Sequence, residues 1–527
     1  HSPWFLTHSW LNPKLLLFSH LMLMTEEFSA ASIALSRRFI KISSIACAFS
    51  FTKKFKKELR KARIYSPRLP SVLVPQLSKQ DYARLQEKMR RYPGFYIQKR
   101  SLRYYDTNSG ANVLGYISEV NEADLAKNPY YIQGELTGRI GVEKVYDDVL
   151  RGRKGVQYIQ KDRFNRDIGP YKDGMLDTLP EQGKEINLTI DKLLQEYGER
   201  LMHGKRGGIV AIEPATGEIL CMLSGPTYEP SLLVGRKRSK NFTNLYNDTW
   251  AKPLFDRSIS FEKAPGSPFK TLNALVALQE GVITPSTTVR CLHGFYVGRT
   301  KRGCHCGGGI RNLNTGIYES CNAYFANAYR KIYDKYETTD EGHDVWEKHI
   351  KSFGLGQYLG SDLHTGRKGR VPDKAMYDKW YGDNRWVSSY IISNSIGQGE
   401  VAVTPLQLAN MTAAIANRGH FFTPHVLKKV NGEDIKNPEF TEARHTSIDK
   451  RHFEPVVQGM ADVYEKGTAR GVQIPDIKIA GKTGTVENFT KIDSVKTQLT
   501  DNSVFVAFAP VDDPKIAIAV YIENGYY

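Results

Sequence analysis

Several features that would place the chain in a specialised class are missing from its 527 residues. The longest apolar run, Leu15–Met24, is interrupted by Ser19 and His20 and is about half of the ~20 residues that a membrane-spanning helix needs. The six cysteines are too few and too unevenly spaced to form a disulfide scaffold in a chain of this size. The sequence also has no internal repeat, low-complexity tract or RNA-reading motif. These absences exclude fibrous and disulfide-rich classes and leave a folded globular protein.

The composition agrees with a multidomain protein whose surroundings are anionic. Hydrophobic residues make up 41% of the chain and charged residues 24%, and the length favours two or more domains. Lysine and arginine number 73 against 56 acidic residues, which gives a formal net charge of +17. Nucleic acid, a membrane surface or an acidic polymer such as a cell wall would each suit this charge. A basic polyanion-binding scaffold is therefore kept as one alternative.

From about residue 186 the pattern predicts an α+β domain. Two apolar segments flank the turn Pro214–Gly217 and predict a hairpin, and three further strands are expected near the C-terminus. Five mostly antiparallel strands from both ends of one domain can form a single sheet only if the largely helical middle packs around it. The expected strands are 209–212, 218–223, 478–480, 503–509 and 515–522.

A helix is predicted to begin at Ser267 and to end at Gly281. Pro265 and Gly266 break the preceding structure, Ser267 suits the N-terminal boundary, and Pro268 suits the first helical position. Apolar residues occupy most of the positions in between, so the helix is expected to run through the domain core.

The spacing of Ser267 and Lys270 suggests chemistry at the start of this helix. One helical turn brings the lysine beneath the serine hydroxyl. A lysine that is desolvated in a tight site loses its proton more easily and can act as the base that activates the serine. The helix N-terminus also favours developing negative charge. Because Ser-x-x-Lys is common by chance, the pair needs support from elsewhere in the chain.

Two further motifs supply that support, Ser320-Cys321-Asn322 and Lys482-Thr483-Gly484-Thr485. The second is expected on an edge strand, where backbone groups hold an extended peptide and the hydroxyls and ammonium meet a carboxylate. Its glycine would let the substrate approach the backbone. With Ser-x-x-Lys, the two motifs form the signature of serine penicillin-recognising enzymes. The chain resembles the class B penicillin-binding proteins over roughly residues 50–527, with further matching segments at 138–155, 206–218, 397–407, 467–469 and 508–510.

The resemblance implies a peptidoglycan D,D-transpeptidase that forms an acyl-enzyme with D-Ala-D-Ala stem peptides, cross-links them and is inhibited covalently by β-lactams. It implies that Ser267 is the nucleophile and Lys270 its base, and that Ser320 and Asn322 assist proton transfer and peptide positioning. The backbone amides of Ser267 and Thr485 would form the oxyanion hole. The substrate would be held by Lys482, Thr483, Gly484 and Thr485. No cofactor is implied.

The resemblance also implies a partial pedestal of the dimerisation type at residues 51–185 and a transpeptidase domain at 186–527 that is truncated at its C-terminus. Such proteins are tethered in the bacterial inner membrane with the catalytic domain on the periplasmic side, and they act in maintaining cell shape. The implied partners are stem peptides, β-lactams and a membrane glycosyltransferase of the elongation machinery, but not nucleic acid. Residues 1–50 show neither the anchor nor the first part of the pedestal, so we expect a non-native or mis-assembled segment there.

A serine β-lactamase or β-lactam sensor is the nearest alternative, because it would share Ser267, Lys270 and the Lys-Thr-Gly strand. The roughly 135-residue pedestal argues against a hydrolase, which needs no such spacer. No carboxylate that could activate a deacylating water is recognisable between Asn322 and Lys482, so the acyl ester is expected to persist. Three motifs in the family's order argue against the polyanion-binding scaffold.

Soft side chains are concentrated between the first two motifs. Zinc could be bound by Cys291, His293, Cys304, His305 and Cys306. The Cys-His-Cys sequence lacks the usual two-residue gap and matches no zinc-finger spacing. An ordinary glycine-containing loop is therefore the favoured interpretation, and no metal site is predicted.

Overall fold

The computed structural model describes residues 103–525 apart from 164–166, 298–299, 365, 384 and 493–494, together with short stretches between residues 57 and 97. The segment 1–50, which the sequence leaves unassigned, lies outside the described residues. Among the helices that are described, none is long and apolar enough to span a membrane.

The part of the chain before residue 186 is built from short elements. Its helices are α1 (Lys79–Gln86), α2 (Ala111–Leu114), α3 (Glu122–Lys127), α4 (Gly141–Val145) and α5 (Asp147–Leu150). Its strands form two antiparallel pairs, β1 (Ile117–Glu119) with β2 (Leu136–Gly138) and β3 (Ile159–Lys161) with β4 (Asp167–Pro170). This part contacts the rest of the protein at several points, among them Tyr146, whose hydroxyl donates to Asp362 Oδ2 at 2.6 Å, and Asn112, whose Nδ2 donates to Pro253 O at 3.2 Å.

The larger part mixes helices and strands, as the sequence predicts. Its helices are α6 (Lys192–Leu201), α7 (Arg238–Asn247), α8 (Arg257–Ser260), α9 (Phe269–Gln279), α10 (Leu313–Tyr318), α11 (Asn322–Asp334), α12 (Thr339–Lys351), α13 (Lys374–Tyr381), α14 (Pro405–Ala416), α15 (Pro438–Thr441) and α16 (Phe453–Glu465). Its strands are β5 (Ile186–Leu188), β6 (Arg206–Ile212), β7 (Ile219–Gly225), β8 (Val289–Cys291), β9 (Gly294–Val297), β10 (Thr300–Gly303), β11 (Gly309–Arg311), β12 (His420–Phe421), β13 (Leu427–Val430), β14 (Glu433–Asp434), β15 (Arg444–His445), β16 (Ala480–Ile492), β17 (Val495–Ala509) and β18 (Ile516–Glu523).

The main sheet is five-stranded and antiparallel, in the order β16-β17-β18-β6-β7. The α+β prediction is confirmed, because strands from both ends of the domain meet in this one sheet. The predicted strand 478–480 was much too short, since β16 begins at Ala480 and continues to Ile492 in a long hairpin with β17. Strand β16 forms one edge of the sheet, so its outer backbone groups have no partner strand in the described chain.

Two buried helices form the centre of the large part. All twelve residues of α14 are buried, and this helix packs on β18 and β6. Its start is fixed by a capping box between Thr404 and Gln407, with Pro405 at the first position. Helix α9 is buried from Phe269 to Leu278 and packs against α11. Burial of each large apolar side chain stabilises the fold by about 1.5–3 kcal/mol, so both helices are held firmly in place.

Candidate active site

Ser267 lies at the entrance to α9. The helix begins at Phe269 rather than at Ser267, because its first turn is closed by tighter bonds, from Phe269 N to Gly266 O (3.0 Å) and from Lys270 N to Ser267 O (3.1 Å). The predicted path through the core is confirmed, and this buried helix fixes the serine at its N-terminal end.

A glycine pair shapes the turn before Ser267. Gly266 has φ +61° and donates its N–H to the carbonyl of Gly397 at 2.8 Å. Gly397 has φ +68°, and a Cβ at this position would lie 2.2 Å from Gly266 O. Both residues therefore need to be glycine, because the left-handed backbone and the close approach leave no room for a side chain. The Gly397-Gln398-Gly399 segment therefore packs against the turn that leads into Ser267.

Hydrogen bonds connect Ser267, Lys270, Ser320 and Asn322. The Lys270 ammonium donates to Ser320 O (2.7 Å), Ser320 Oγ (3.1 Å) and Asn322 Oδ1 (2.6 Å). The Ser320 hydroxyl in turn donates to Ser267 Oγ at 3.0 Å. The described hydrogen bonds of the Lys270 ammonium do not include one to the Ser267 hydroxyl, so the Ser320 hydroxyl links the two side chains.

Burial tunes the protonation of Lys270. Its side chain is 1% exposed, and desolvation lowers the pKa of the ammonium to about 8. Nearby thiols, Cys304 first among them, act in the opposite direction and raise this pKa. With a pKa of about 8, roughly a tenth of the lysine is neutral at pH 7. A lysine of this kind can both accept and return a proton near neutral pH.

Ser320 and Asn322 are positioned by an unusual backbone. Ser320 has φ +58°, a conformation that is uncommon for a residue with a side chain and that is often found at functional sites. Asn322 is the first residue of α11, and its Nδ2 donates to Gly303 O at 2.9 Å. Lys270 and Gly303 thus hold the two ends of the Asn322 amide.

The Lys-Thr-Gly-Thr motif lies on edge strand β16, but its lysine points inward. Lys482 is fully buried, and its ammonium donates to Thr483 O at 2.9 Å. Desolvation, followed by repulsion from Lys270, holds the pKa of Lys482 well below its ordinary value. The lysine therefore adjoins the catalytic cluster rather than a free surface. Thr483, which hydrogen-bonds Thr468 at 2.6 Å, and the exposed Thr485 share one face of the strand.

Gly484 allows strand β16 to lie against Ser267 and Pro268. A Cβ at this position would lie 2.5 Å from Pro268 Cδ and 3.2 Å from Ser267 N. The motif predicts that this glycine lets the substrate approach the backbone, and in the structure the contact between the strand and the start of α9 also requires it. The backbone amide of Ser267 and the backbone around Thr485 are consequently close neighbours, as an oxyanion hole would need.

Four thiols gather beside this site. The Sγ atoms of Cys291, Cys304, Cys306 and Cys321 lie within 4.8 Å of one another, and all four are free cysteines. Cys304 Sγ is 3.2 Å from Cys306 Sγ and 3.8 Å from Cys321 Sγ, while Cys306 Sγ is 3.5 Å from Cys291 Sγ. The cysteine cluster contacts the hydrogen-bonded group around Ser267 directly, since Asn322 N donates to Cys304 Sγ at 3.1 Å.

The donor set fits a tetrahedral zinc ion. Zn–S bonds of 2.3 Å in a tetrahedron place the sulfurs roughly 3.8 Å apart, within the range of separations in this cluster. A hydrogen bond from the neighbouring thiol of Cys321 lowers the pKa of Cys304 and so favours the thiolate that a metal requires. Residues Cys291, Cys304, Cys306 and Cys321 could therefore hold a structural metal.

The expectation of an ordinary loop without a metal site does not account for this cluster. Cys291, Cys304 and Cys306 converge as soft ligands, but His293 and His305 are exposed and lie outside the group. The fourth member is Cys321, the middle residue of the Ser320-Cys321-Asn322 motif, which is not among the soft ligands expected from the sequence. Its signal in the sequence was a fourth cysteine close to the other three, although only the fold brings it to them.

Comparison with known proteins places these features in a family. The sequence matches the family described as "Penicillin binding protein transpeptidase domain" over residues 207–527 and the "Penicillin-binding Protein dimerisation domain" over residues 18–188. The peptidoglycan D,D-transpeptidase MrdA of Acinetobacter baumannii is 32% identical over 470 residues, which cover 85% of this chain and 67% of the relative.

Solved structures are similar over most of the chain. The crystal structure of Pseudomonas aeruginosa PBP2 in complex with WCK 5153 has a TM-score of 0.68 at 31% identity and covers 82% of this chain and 87% of that one. A structure described as "Structural coordination of polymerization and crosslinking by a peptidoglycan synthase complex" has a TM-score of 0.68 at 25% identity. The alignment covers 90% of this chain and 82% of that chain.

Proposed function

The chain belongs to the penicillin-binding protein transpeptidase family, and on this premise we propose that Ser267 is the residue at which its acyl-transfer reaction takes place. The protein is a serine-type peptidoglycan D,D-transpeptidase. The observation that carries the assignment of the serine is the hydrogen-bonded cluster, in which Lys270, Ser320 and Asn322 converge on the entrance of one buried helix.

Acylation begins with proton removal from Ser267. Neutral Lys270 takes the proton through the Ser320 hydroxyl, which reverses the direction of the two resting hydrogen bonds between these groups. Ser267 Oγ then bonds to the carbonyl carbon of the penultimate D-alanine, and the terminal D-alanine leaves with a proton returned by the same path. The backbone amides of Ser267 and Thr485 stabilise the oxyanion.

The donor peptide lies along edge strand β16. Its backbone adds to the free edge of the sheet, and Thr483 and Thr485 present hydroxyls to its terminal carboxylate. Lys482 lies buried on the inner side of the strand. It influences the site through its charge, because its ammonium and that of Lys270 repel each other. Gly484 keeps the strand close enough for Ser267 to reach the bound carbonyl.

We propose that the four-cysteine group, Cys291, Cys304, Cys306 and Cys321, holds one Zn²⁺ as a structural cross-link. When bound, the metal would supply no catalytic chemistry and would join Cys291 and the Cys304–Cys306 segment to the start of α11. The Cys304 sulfur accepts the N–H of Asn322, so a fixed cluster keeps the Ser-x-Asn motif in register with Lys270.

The remaining assignments follow the family. The pedestal at residues 51–185 positions the transpeptidase domain at 186–527 on the periplasmic side of the bacterial inner membrane. A membrane glycosyltransferase that makes the glycan strands is the partner, in line with the similar structure from a peptidoglycan synthase complex. Nucleic acid is not among the proposed binding partners.

A cross-linking assay tests the proposal. A donor peptide that ends in D-Ala-D-Ala and an amine acceptor should yield free D-alanine and a joined product with the wild-type chain. Ser267→Ala should abolish both, while the matched change Ser286→Ala, at an exposed serine outside the cluster, should leave them intact. If the Ser267→Ala variant still releases D-alanine and joins the peptides, the assignment is wrong.

A further inference from the structure

A strongly basic hairpin stands beside the catalytic cluster. Strands β9 and β10 pair antiparallel, and we call these two strands (residues 294–297 and 300–303) the basic hairpin. The surrounding segment 289–311 contains five Arg or Lys residues and no Asp or Glu. Solvent-exposed segments usually carry charges of both signs. A segment of this length whose charged residues are all basic is therefore suited to bind a negatively charged ligand.

The cations of the segment are mostly available. Lys301 and Arg302 on β10 and Arg290 on β8 are exposed, and none of them makes an ion pair with another described residue. Of the described cations of the segment, Arg311 is the one in an ion pair, with Glu319 at 2.7 Å. Lys301 lies directly across from Tyr296, whose ring is 61% exposed, so an ammonium and an open aromatic surface adjoin on the same face.

The hairpin is attached to the reacting serine by a short chain of contacts. Its last residue, Gly303, accepts a hydrogen bond from Asn322, and Lys270 and Ser320 connect Asn322 to Ser267. On its other side Ser267 is packed against strand β16 through Gly484. The donor peptide is assigned to β16, so the basic hairpin borders the part of the site that the donor leaves free.

We propose that Lys301 and Arg302 bind the carboxylates of the acceptor stem peptide, the acidic peptide whose amine attacks the acyl-enzyme. The proposal rests on the transpeptidase function described above and deepens it, because it names the surface that selects the second substrate. The amine attacks the ester carbonyl of acylated Ser267, the Ser267 Oγ–carbon bond breaks, and the proton of the amine returns to Ser267 Oγ through Ser320 and Lys270. Carboxylates held on the hairpin orient that amine and raise its local concentration.

The first arm of the test measures acceptor use by the full chain. Lys301→Ala/Arg302→Ala is compared with the wild type and with Lys450→Ala/Arg451→Ala, a matched exposed Lys-Arg pair elsewhere on the surface. A D-Ala-D-Ala donor is supplied with a glutamate-containing acceptor peptide or with the same peptide in fully amidated form. Two exposed charge contacts predict an increase of about five- to twenty-fold in the KM for the acidic acceptor. The KM for the amidated acceptor and the rate of acylation by penicillin should not change. The charge-conserving variant Lys301→Arg/Arg302→Lys should have a KM for the acidic acceptor close to that of the wild type.

The second arm measures binding without chemistry. Fluorescence polarisation of the labelled acidic peptide on the Ser267→Ala variant should show affinity that falls by a similar factor when Lys301 and Arg302 are replaced. This arm remains informative even if Ser267 proves not to be the nucleophile, because it requires no turnover. Wild-type acylation by penicillin, measured in parallel, reports separately on the proposed function.

Three results would overturn the proposal. Equal KM values for the acidic acceptor in the wild type and the Lys301→Ala/Arg302→Ala variant would show that the hairpin does not bind it. If the variant is also acylated more slowly by penicillin, the substitutions act on the catalytic cluster rather than on acceptor binding. Loss of binding to phosphatidylglycerol vesicles with unchanged acceptor use would make the hairpin a membrane-docking surface instead.

Discussion

Replacing Lys270 by methionine removes the proposed base while it keeps most of the volume of the buried side chain. Loss of a positioned general base reduces the rate of its step by roughly 10²- to 10⁴-fold, and this is the expected decrease in the rate of acylation by penicillin. The Ser320 hydroxyl would still touch Ser267 but would have no proton acceptor behind it.

The pKa of Lys270 sets the pH dependence. Acylation by the wild type should rise about tenfold from pH 7 and level off above pH 8, because burial lowers the pKa of the lysine to about 8. The drop from the ordinary value of 10.5 corresponds to about 3 kcal/mol. Since the unfolded chain binds this proton more tightly than the folded chain, the free energy of unfolding increases between about pH 8 and pH 10.5, and the full cost of burying the charge is present at pH 7.

Stability separates loss of chemistry from loss of folding. In the Lys270→Met variant the cost of the buried charge disappears, while Ser320 and Asn322 keep acceptors without a donor, at about 1–3 kcal/mol each. These effects have opposite signs, so the free energy of unfolding at pH 7 should change by no more than a few kcal/mol. Urea unfolding at pH 7 and pH 9.5 and stopped-flow acylation measure both quantities, with exposed Lys240→Met as the control.

A folded Lys270→Met variant that is acylated within about tenfold of the wild-type rate would refute the role of the lysine. A wild-type acylation rate that is flat between pH 6 and pH 9 would contradict the assignment of Lys270 as a base whose pKa is about 8.

Three further predictions concern the surroundings of the serine. Gly484→Ala should lower both acylation and the melting temperature, because its Cβ would lie 2.5 Å from Pro268 Cδ; an active, equally stable variant would contradict the packing argument. Ser320→Ala should slow acylation by roughly 10²-fold or more, since it removes the link between base and nucleophile; near-normal single-turnover rates would show a direct path instead. Metal analysis should find one zinc per chain, and Cys291→Ser should lose it and lower the melting temperature; a metal-free chain with full stability would exclude the structural zinc.

The sheet and the nucleophile helix could be predicted because their signals are local. A hairpin turn between apolar segments, a Pro-Gly break and an uninterrupted apolar helix each specify structure within a few residues. The three motifs are far apart in the sequence, so no local signal predicts that they converge. That prediction depends on their order, which resembles the order found in a family with this chemistry. Hydrogen bonds now join residues 267, 270, 320 and 322, whereas Lys482 enters the cluster through burial and charge.

The features that the sequence did not predict depend on side-chain direction and on distances across the fold. Alternation along β16 turns Lys482 inward, although its motif suggests a carboxylate-binding surface. Gly484 is needed for contact with Pro268, which lies more than two hundred residues earlier in the chain. Cys321 joins the other three cysteines only because α11 begins beside their loop, and spacing rules for zinc fingers do not cover such a set.

The covalent adduct formed with penicillin identifies the residue at which acylation takes place. Intact-mass measurement followed by peptide mapping should find one penicilloyl group on the peptide that contains Ser267. That adduct should persist for many minutes, because no carboxylate placed to activate a deacylating water is recognisable between residues 322 and 482. Ser267→Ala should form no adduct. Rapid turnover of penicillin without an accumulated adduct would instead favour a serine β-lactamase, and a stable adduct on another residue would contradict the assignment of Ser267.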